Sequence, residues 1–261
     1  LGDVYKRQAT YVGSGKAREL AGIVAQDEAD TIVVDDDLPP SQRRALEDAT
    51  KVKVVDRTAV ILDIFAQHAT SREGKAQVEL AQLEYMLPRL RGWGGSLSRQ
   101  AGGRAAGDAG IGSRGPGETK IEMDRRVIRS RIAKLRRQIA QMAPARDVKR
   151  GARRRFGLPT VAVVGYTNAG KSSLTNRLTG SAELVENALF ATLDTAVRRA
   201  KAKDGRLYAY VDTVGFVRRL PTQLIEAFKS TLEEVADADL IVHVVDGSHP
   251  DPFSQIDAVN D

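Results

Sequence analysis

The sequence predicts an α/β chain in three parts: a small N-terminal βαβ domain, an antiparallel helical hairpin, and a second α/β domain built on a phosphate loop. Three observations carry this. Short β-branched runs alternate with helical runs over 10–68; two segments carry apolar residues at heptad spacing; and a strand-like run at 160–164 opens into a Gly-rich loop followed by a helix.

In the first part, "TYV" at 10–12 leads into the helical run "GKARELAGIVAQ". "TIVVD" is a β-branched run of the kind buried parallel strands have, "PPSQRRALEDAT" reads as a helix with Ser41 as its N-cap, and "VKVVD" is the next strand. "TAVILDIFAQHA" is the next helix. "GSGK" at 13–16 resembles a phosphate loop and fails as one. Thr10 stands where the first Gly is needed and Ala17 where a hydroxyl is needed, so it reads as a turn into a helix.

In the second part, Ala76, Leu80, Leu83, Leu87 and Leu90 form one seam, and Ile128, Ile132, Leu135, Ile139 and Met142 another. Pro88 is expected to kink the first helix near its end. Arg125, Arg126, Arg129, Arg131, Lys134, Arg136 and Arg137 fall on the outward faces of the second. The connector "RGWGGSLSRQAGGRAAGDAGIGSRGPGET" carries Arg99, Arg104 and Arg114 among many glycines. It reads as a tip loop that orders on an anionic partner, with a plain linker as the alternative. The expected boundaries are 1–70 for the first domain, 71–143 for the hairpin, 144–158 for a basic linker and 159–261 for the second domain.

The 261 residues carry a net charge of +6, unevenly placed. From Arg89 to Arg155 there are 19 Lys and Arg against 5 Asp and Glu, hence +14, which leaves −8 for the rest. That concentration suits a polyanion such as RNA, against a solvated helix face and linker. The chain has no Cys, which excludes disulfides and thiolate metal sites. No apolar run is long enough to span a bilayer and no leader pattern opens the chain, so a cytoplasmic location is expected. Both ends look cut: the chain starts at Leu1, and "SHPDPFSQIDAVND" stops where a helix begins. It is read as a fragment.

"TVAVV" ends in Gly165, Tyr166, Thr167, Asn168, Ala169, Gly170, Lys171 and Ser172, a full G-x-x-x-x-G-K-S followed by a helix. Backbone N–H groups and the helix N-terminus cradle phosphates; Lys171 reaches the β/γ-phosphates and Ser172 ligates Mg²⁺. Asp212, Thr213, Val214 and Gly215 close the strand "LYAYVD". A carboxylate there holds Mg²⁺, and the Gly215 N–H senses a γ-phosphate. Asp204-Gly205 turns the antiparallel edge pair of a Ras-like GTPase. Thr192 and Thr195 are both candidates for the metal. Phe216 stands where a water-orienting glutamine is usual, and its side chain has no polar atom. His68, His243 and His249 are scattered, with His243 read as a strand residue packed on a helix.

"GYTNAGKSSL", "LFATLDT" and "DTVGF" together resemble the HflX branch of the Obg–HflX GTPases, and "REGKAQVELAQLEYMLPRLRG", "IGSRGPGETKIEMDRR" and "VVDGSHPDPFSQI" are similar to the same family. The resemblance implies a truncated Ras-like P-loop domain and a GTPase that binds the large ribosomal subunit and separates subunits of stalled or stressed ribosomes. It implies Mg²⁺ and GTP or GDP, with Thr192 as the second hydroxyl on the metal. Phe190, Ala191, Thr192, Leu193 and Asp194 then contact nucleotide along with 212–215. Lys171, Asn168 and Gly215 are the expected catalytic group. Asn168 either ligates a monovalent cation such as K⁺ or merely shapes the loop. A hydrophobic residue at Phe216 is the family habit, so slow hydrolysis accelerated by the ribosome is expected. The rRNA contact is expected through the basic hairpin and the Gly/Arg loop, with no membrane segment and a monomeric protein. Arg198, Arg199, Arg218 and Arg219 flank the switches as ribosome-facing or solvated residues. A nucleotide-gated RNA-binding module is the competing reading, and an ATP-using P-loop protein a weaker one. Against the family pattern, the connector looks stretched, the start of the first domain is missing, and the guanine-reading N-K-x-D is absent.

Overall fold

β-Branched residues at 32–34 and 54–55 favour extended backbone, and they form β1 (Thr31–Val34) and β2 (Lys53–Asp56), paired in parallel from Thr31↔Lys53 to Val34↔Asp56. Parallel neighbours need a crossover, which α2 (Pro40–Thr50) supplies after α1 (Ser14–Gln26). The computed structural model describes residues 9–90, 116–181, 190, 196–202, 205–218, 224 and 232–260. It divides into two units, Leu1–Asp63 with Tyr85–Arg126, and Ile64–Glu84 with Val127–Asp261.

In the first unit, Ala17, Leu38, Leu46 and Val54 form the core, with Leu20 and Ile32 packed against it. Two expectations change. "TYV" forms only an isolated Thr10↔Val12 bridge, because Tyr11 takes a left-handed backbone (φ 65°) that breaks a strand. Ser41 is not the cap of α2: Pro39 holds that place and Pro40 opens the helix, where a missing N–H costs nothing and the ring pre-sets φ. Lys16 lies on α1 in an exposed pair with Glu19, as expected of a surface lysine. Asp56 is fully buried. It accepts from the Ala59 N–H at the start of α3 (Arg57–His68), from the Tyr85 hydroxyl at 2.6 Å and from Arg89 at 3.1 Å. Arg89 also donates to the Leu38 carbonyl and stacks 3.4 Å over the Tyr85 ring.

α4 (Arg72–Met86) ends earlier than its seam. Leu87 and Leu90 belong to a 3₁₀ turn, Leu87–Leu90, because Pro88 lacks the N–H and clashes with the preceding turn. α5 runs Pro116–Arg155, through Pro144, so 144–155 are helical and not a linker. In the second unit, Ile132 and Leu135 of its seam are buried, as are Ala76 and Leu80 of α4. Glu73 pairs with Arg146 and Glu84 with Arg136, running in opposite chain directions as antiparallel helices require; Arg131 adds two bonds to Glu79 at 2.6 and 2.7 Å.

The sheet of the second unit has the order β4-β5-β3-β6: β3 (Thr160–Gly165), β4 (Ala196–Lys201), β5 (Leu207–Asp212) and β6 (Leu240–Val244). β3 is buried along its whole length and pairs in parallel with β5 and β6; β4 and β5 form the antiparallel edge pair. α6 (Lys171–Thr179) and α7 (Pro252–Asn260) are further helices of this unit, and residues 232–236 are also helical. No helix among the described residues is long and apolar enough to cross a membrane.

Candidate nucleotide site

The loop after β3 is shaped by close approach. Gly165 lies beside β6, and a Cβ there would sit 2.3 Å from the Val244 carbonyl oxygen, so only glycine lets strand and loop meet. Asn168 adopts a left-handed backbone (φ 59°), which Asn tolerates, and its side chain is exposed. α6 starts at Lys171, so the backbone N–H groups of its first turn lie at the end of the loop.

Lys171 is 6 % exposed, and its Nζ donates to the Tyr166 carbonyl at 2.8 Å. Burial pulls its pKa down to about 8, while the carboxylate of Asp212 acts to raise it. Asp212 ends β5 level with Val163, is 1 % exposed, and so places a buried carboxylate beside the loop. Ser172 and Asp212 supply a hydroxyl and a carboxylate, an all-oxygen set of the kind Mg²⁺ prefers. Thr213 donates to the Val163 carbonyl at 2.8 Å, which fixes the strand end.

The DTVGF segment runs on beside the loop. A Cβ on Gly215 would meet Thr167 Cα at 2.5 Å, so this glycine presses on the loop backbone. Phe216 forms a parallel bridge with Tyr166: its N–H donates to the Gly165 carbonyl at 3.1 Å, and its carbonyl accepts from Thr167 N–H at 2.8 Å. Phe216 also lines a cleft of about 970 Å³ with Val164, Val217, Leu232, Ile241 and His243. His243, on β6, borders the same cleft with Ser254 and Asp257 of α7, as a strand residue facing a helix.

Of the residues expected in the site, 165–172 and 212–215 are brought together, and Phe190 joins them: its N–H donates to Thr167 Oγ1 at 3.0 Å. Ala191, Thr192, Leu193, Asp194 and Thr195 lie outside the described residues, as do Arg99, Arg104, Arg114 and Arg219. Arg198 departs from expectation. The alternation of β4 turns it inward, and it donates to Asn176 on α6; Arg199 and Arg218 are exposed. One residue was missed. Phe65, in the apolar stripe of α3, packs on Phe190 with ring centroids 4.5 Å apart; an aromatic in an amphipathic helix gave no local signal of this.

Three family models match in sequence: "GTP-binding GTPase N-terminal" over 4–66, "GTP-binding GTPase Middle Region" over 68–153 and "50S ribosome-binding GTPase" over 160–260. The chain is 52 % identical to the GTPase HflX of Caldanaerobacter subterraneus subsp. tengcongensis over 97 % of its own length and 57 % of the relative. It is 46 % identical to the GTPase HflX of Escherichia coli K12 over 96 % of its length and 57 % of that protein. The chain thus spans between half and two thirds of the curated relatives it matches. Among solved structures, the GDP complex of SsGBP is similar, with 27 % identity, a TM-score of 0.50, and coverage of 96 % of this chain and 64 % of that one.

Proposed function

Because the chain belongs to the HflX-type GTPases, we propose that it serves a Mg²⁺-dependent GTP hydrolase of the cytoplasm. As a monomer, that protein binds the large ribosomal subunit and acts in splitting or rescuing stalled ribosomes. The observation that carries the reading is the assembled loop: buried Lys171 on the Tyr166 carbonyl, buried Asp212 beside it, and Gly215 pressed against Thr167. Loop N–H groups and the first turn of α6 bind phosphate oxygens, and Lys171 exchanges the carbonyl for the β/γ-phosphates. Ser172, Asp212 and Thr192 would hold Mg²⁺, which would supply positive charge to the phosphates. The Gly215 N–H senses the γ-phosphate.

Phe216 orients no water, and its backbone is tied to the loop. Groups that complete the site would therefore come from outside, from the ribosome, and Asn168 would hold a K⁺ ion that adds positive charge beside the phosphates. The basic face of α5 and the Gly/Arg connector supply the rRNA contact.

The test is nucleotide binding and turnover with and without large ribosomal subunits. Lys171→Ala is expected to lose triphosphate affinity most, and Ser172→Ala and Asp212→Ala to weaken the Mg²⁺-dependent part. Subunits are expected to stimulate turnover. Three variants that bind a GTP analogue like the parent would make the loop purely structural. Unchanged turnover with subunits would favour an RNA-binding module gated by nucleotide.

A further inference from the structure

The P-loop motif does not account for how Phe190 is held. Phe190 is 3 % exposed yet takes a left-handed backbone, φ 59°, which is a strained conformation for a bulky side chain. Such a conformation persists where surroundings over-determine it, and these clusters occur at functional sites. Two contacts fix it here. Its N–H donates to the Thr167 hydroxyl at 3.0 Å, and its ring lies on Phe65 at 4.5 Å with planes tilted by 58°, a favourable arrangement for aromatic quadrupoles. Phe65 is fully buried and sits on α3. It falls within the region matched by the N-terminal family model, whereas Phe190 falls within the GTPase match.

Thr167 is the point where these contacts meet the phosphate loop. Its side chain holds Phe190, its N–H holds Phe216, and its Cα is the surface against which Gly215 packs. A displacement of the Phe190 ring is thereby transmitted to the residue that both flanking segments share.

We propose that Phe65 is a positioning residue of the nucleotide site: through Phe190 and the Thr167 hydroxyl, α3 holds the phosphate loop in its binding-ready shape. This rests on the reading of the loop as a GTPase site. A loop already in its bound shape loses less entropy on binding, so loosening the anchor speeds nucleotide release.

The test uses the 261-residue chain with a fluorescent GDP analogue, chased by unlabelled GDP. Phe65→Leu and Phe190→Leu keep an apolar side chain, somewhat smaller than Phe, and remove the ring contact. Each is expected to speed release about three- to tenfold, the range for loss of a tilted aromatic pair. The double variant is expected to release no faster than the faster single, because both remove one contact. Thermal unfolding identifies the folded variants, and Phe65→Met replaces Phe65→Leu if that does not fold. A purely structural Phe65 lowers the melting temperature and leaves release at the parental rate, which overturns the proposal; so do additive effects. Lys171→Ala separates the two levels. If the parent fails to bind the analogue, or Lys171→Ala binds as the parent does, the GTPase reading itself falls. If the parent binds, Lys171→Ala does not, and folded Phe65 variants release normally, only the positioning role falls.

Discussion

Lys171 shows what a single residue in the loop demands. Its amine donates to one carbonyl, and its burial lowers its pKa to about 8 despite the nearby Asp212 carboxylate. A phosphate oxygen favours the charged form, so bound nucleotide raises that pKa again. The sign follows. Below pH 8 the free lysine is already protonated and binding takes up no proton; above pH 8 binding must add one. Affinity for GDP in the absence of metal is expected to be level up to pH 8 and to fall by up to about tenfold per pH unit beyond it. Stability of the free chain changes the opposite way: the buried charge is relieved as pH rises from 8 towards the ordinary lysine value, so this residue's cost diminishes over that window. Calorimetric titration of GDP from pH 7 to 9.5 measures the first effect; a Lys171→Met variant with the same slope would assign it elsewhere. The residues of this loop were legible because their roles are local: backbone conformation, one amine and one hydroxyl at fixed spacing. Phe65 was not legible, since its contact with Phe190 exists only after α3 and the loop come together.

At the scale of elements, α5 changes what the +14 segment means. Heptad spacing predicts the helix and basic composition at 144–158 a linker, but the helix continues to Arg155. Arg146, Arg150 and Arg153 fall on one face and meet carboxylates: Arg146 with Glu73 and Glu233, Arg150 with Asp147, Glu233 and Asp237, Arg153 with Glu234. Tertiary pairing thus decided a stretch whose local composition was ambiguous. With Arg131 and Arg136 also paired, five arginines of α5 have carboxylate partners among the described residues. Arg126, Arg129, Lys134 and Arg137 are exposed and are the better candidates for a phosphate backbone. Arg129→Ala with Lys134→Ala is expected to reduce the slope of log affinity for rRNA against log salt by about 1.5, at roughly 0.7–0.9 per released counterion. Arg150→Ala is expected to leave the slope nearly unchanged and to lower the melting temperature, because it removes one of two cations from a partly buried carboxylate cluster and the one that meets Asp237. Filter binding across a salt series separates them; the reverse pattern would place the paired face on the RNA.

For the whole molecule, phosphate recognition and base recognition come apart. The 261 residues contain the loop, Lys171, Ser172 and Asp212, and they contain no Asn-Lys-x-Asp. Phosphate contacts carry no information about the base. Purines are told apart only by polar groups matched to their edges, and rejection is strong when a mismatch leaves such groups unpaired. β6 stands at the edge of the described sheet, with Leu240 57 % and Ile241 52 % exposed, and Phe253 on α7 is 75 % exposed. An apolar parallel edge of this kind is ordinarily covered, and exposure of such a patch favours association between chains. These 261 residues are therefore expected to prefer GTP over ATP only slightly, and the polypeptide to self-associate as concentration rises. Competition of GDP, GTP and ATP against a fluorescent analogue in the presence of Mg²⁺ measures the preference, and sedimentation over a concentration series measures the association. A hundredfold or greater preference for GTP, worth about 2.7 kcal/mol, would mean that groups within these 261 residues read guanine, and the exposed end of β6 would be the first surface to search for them.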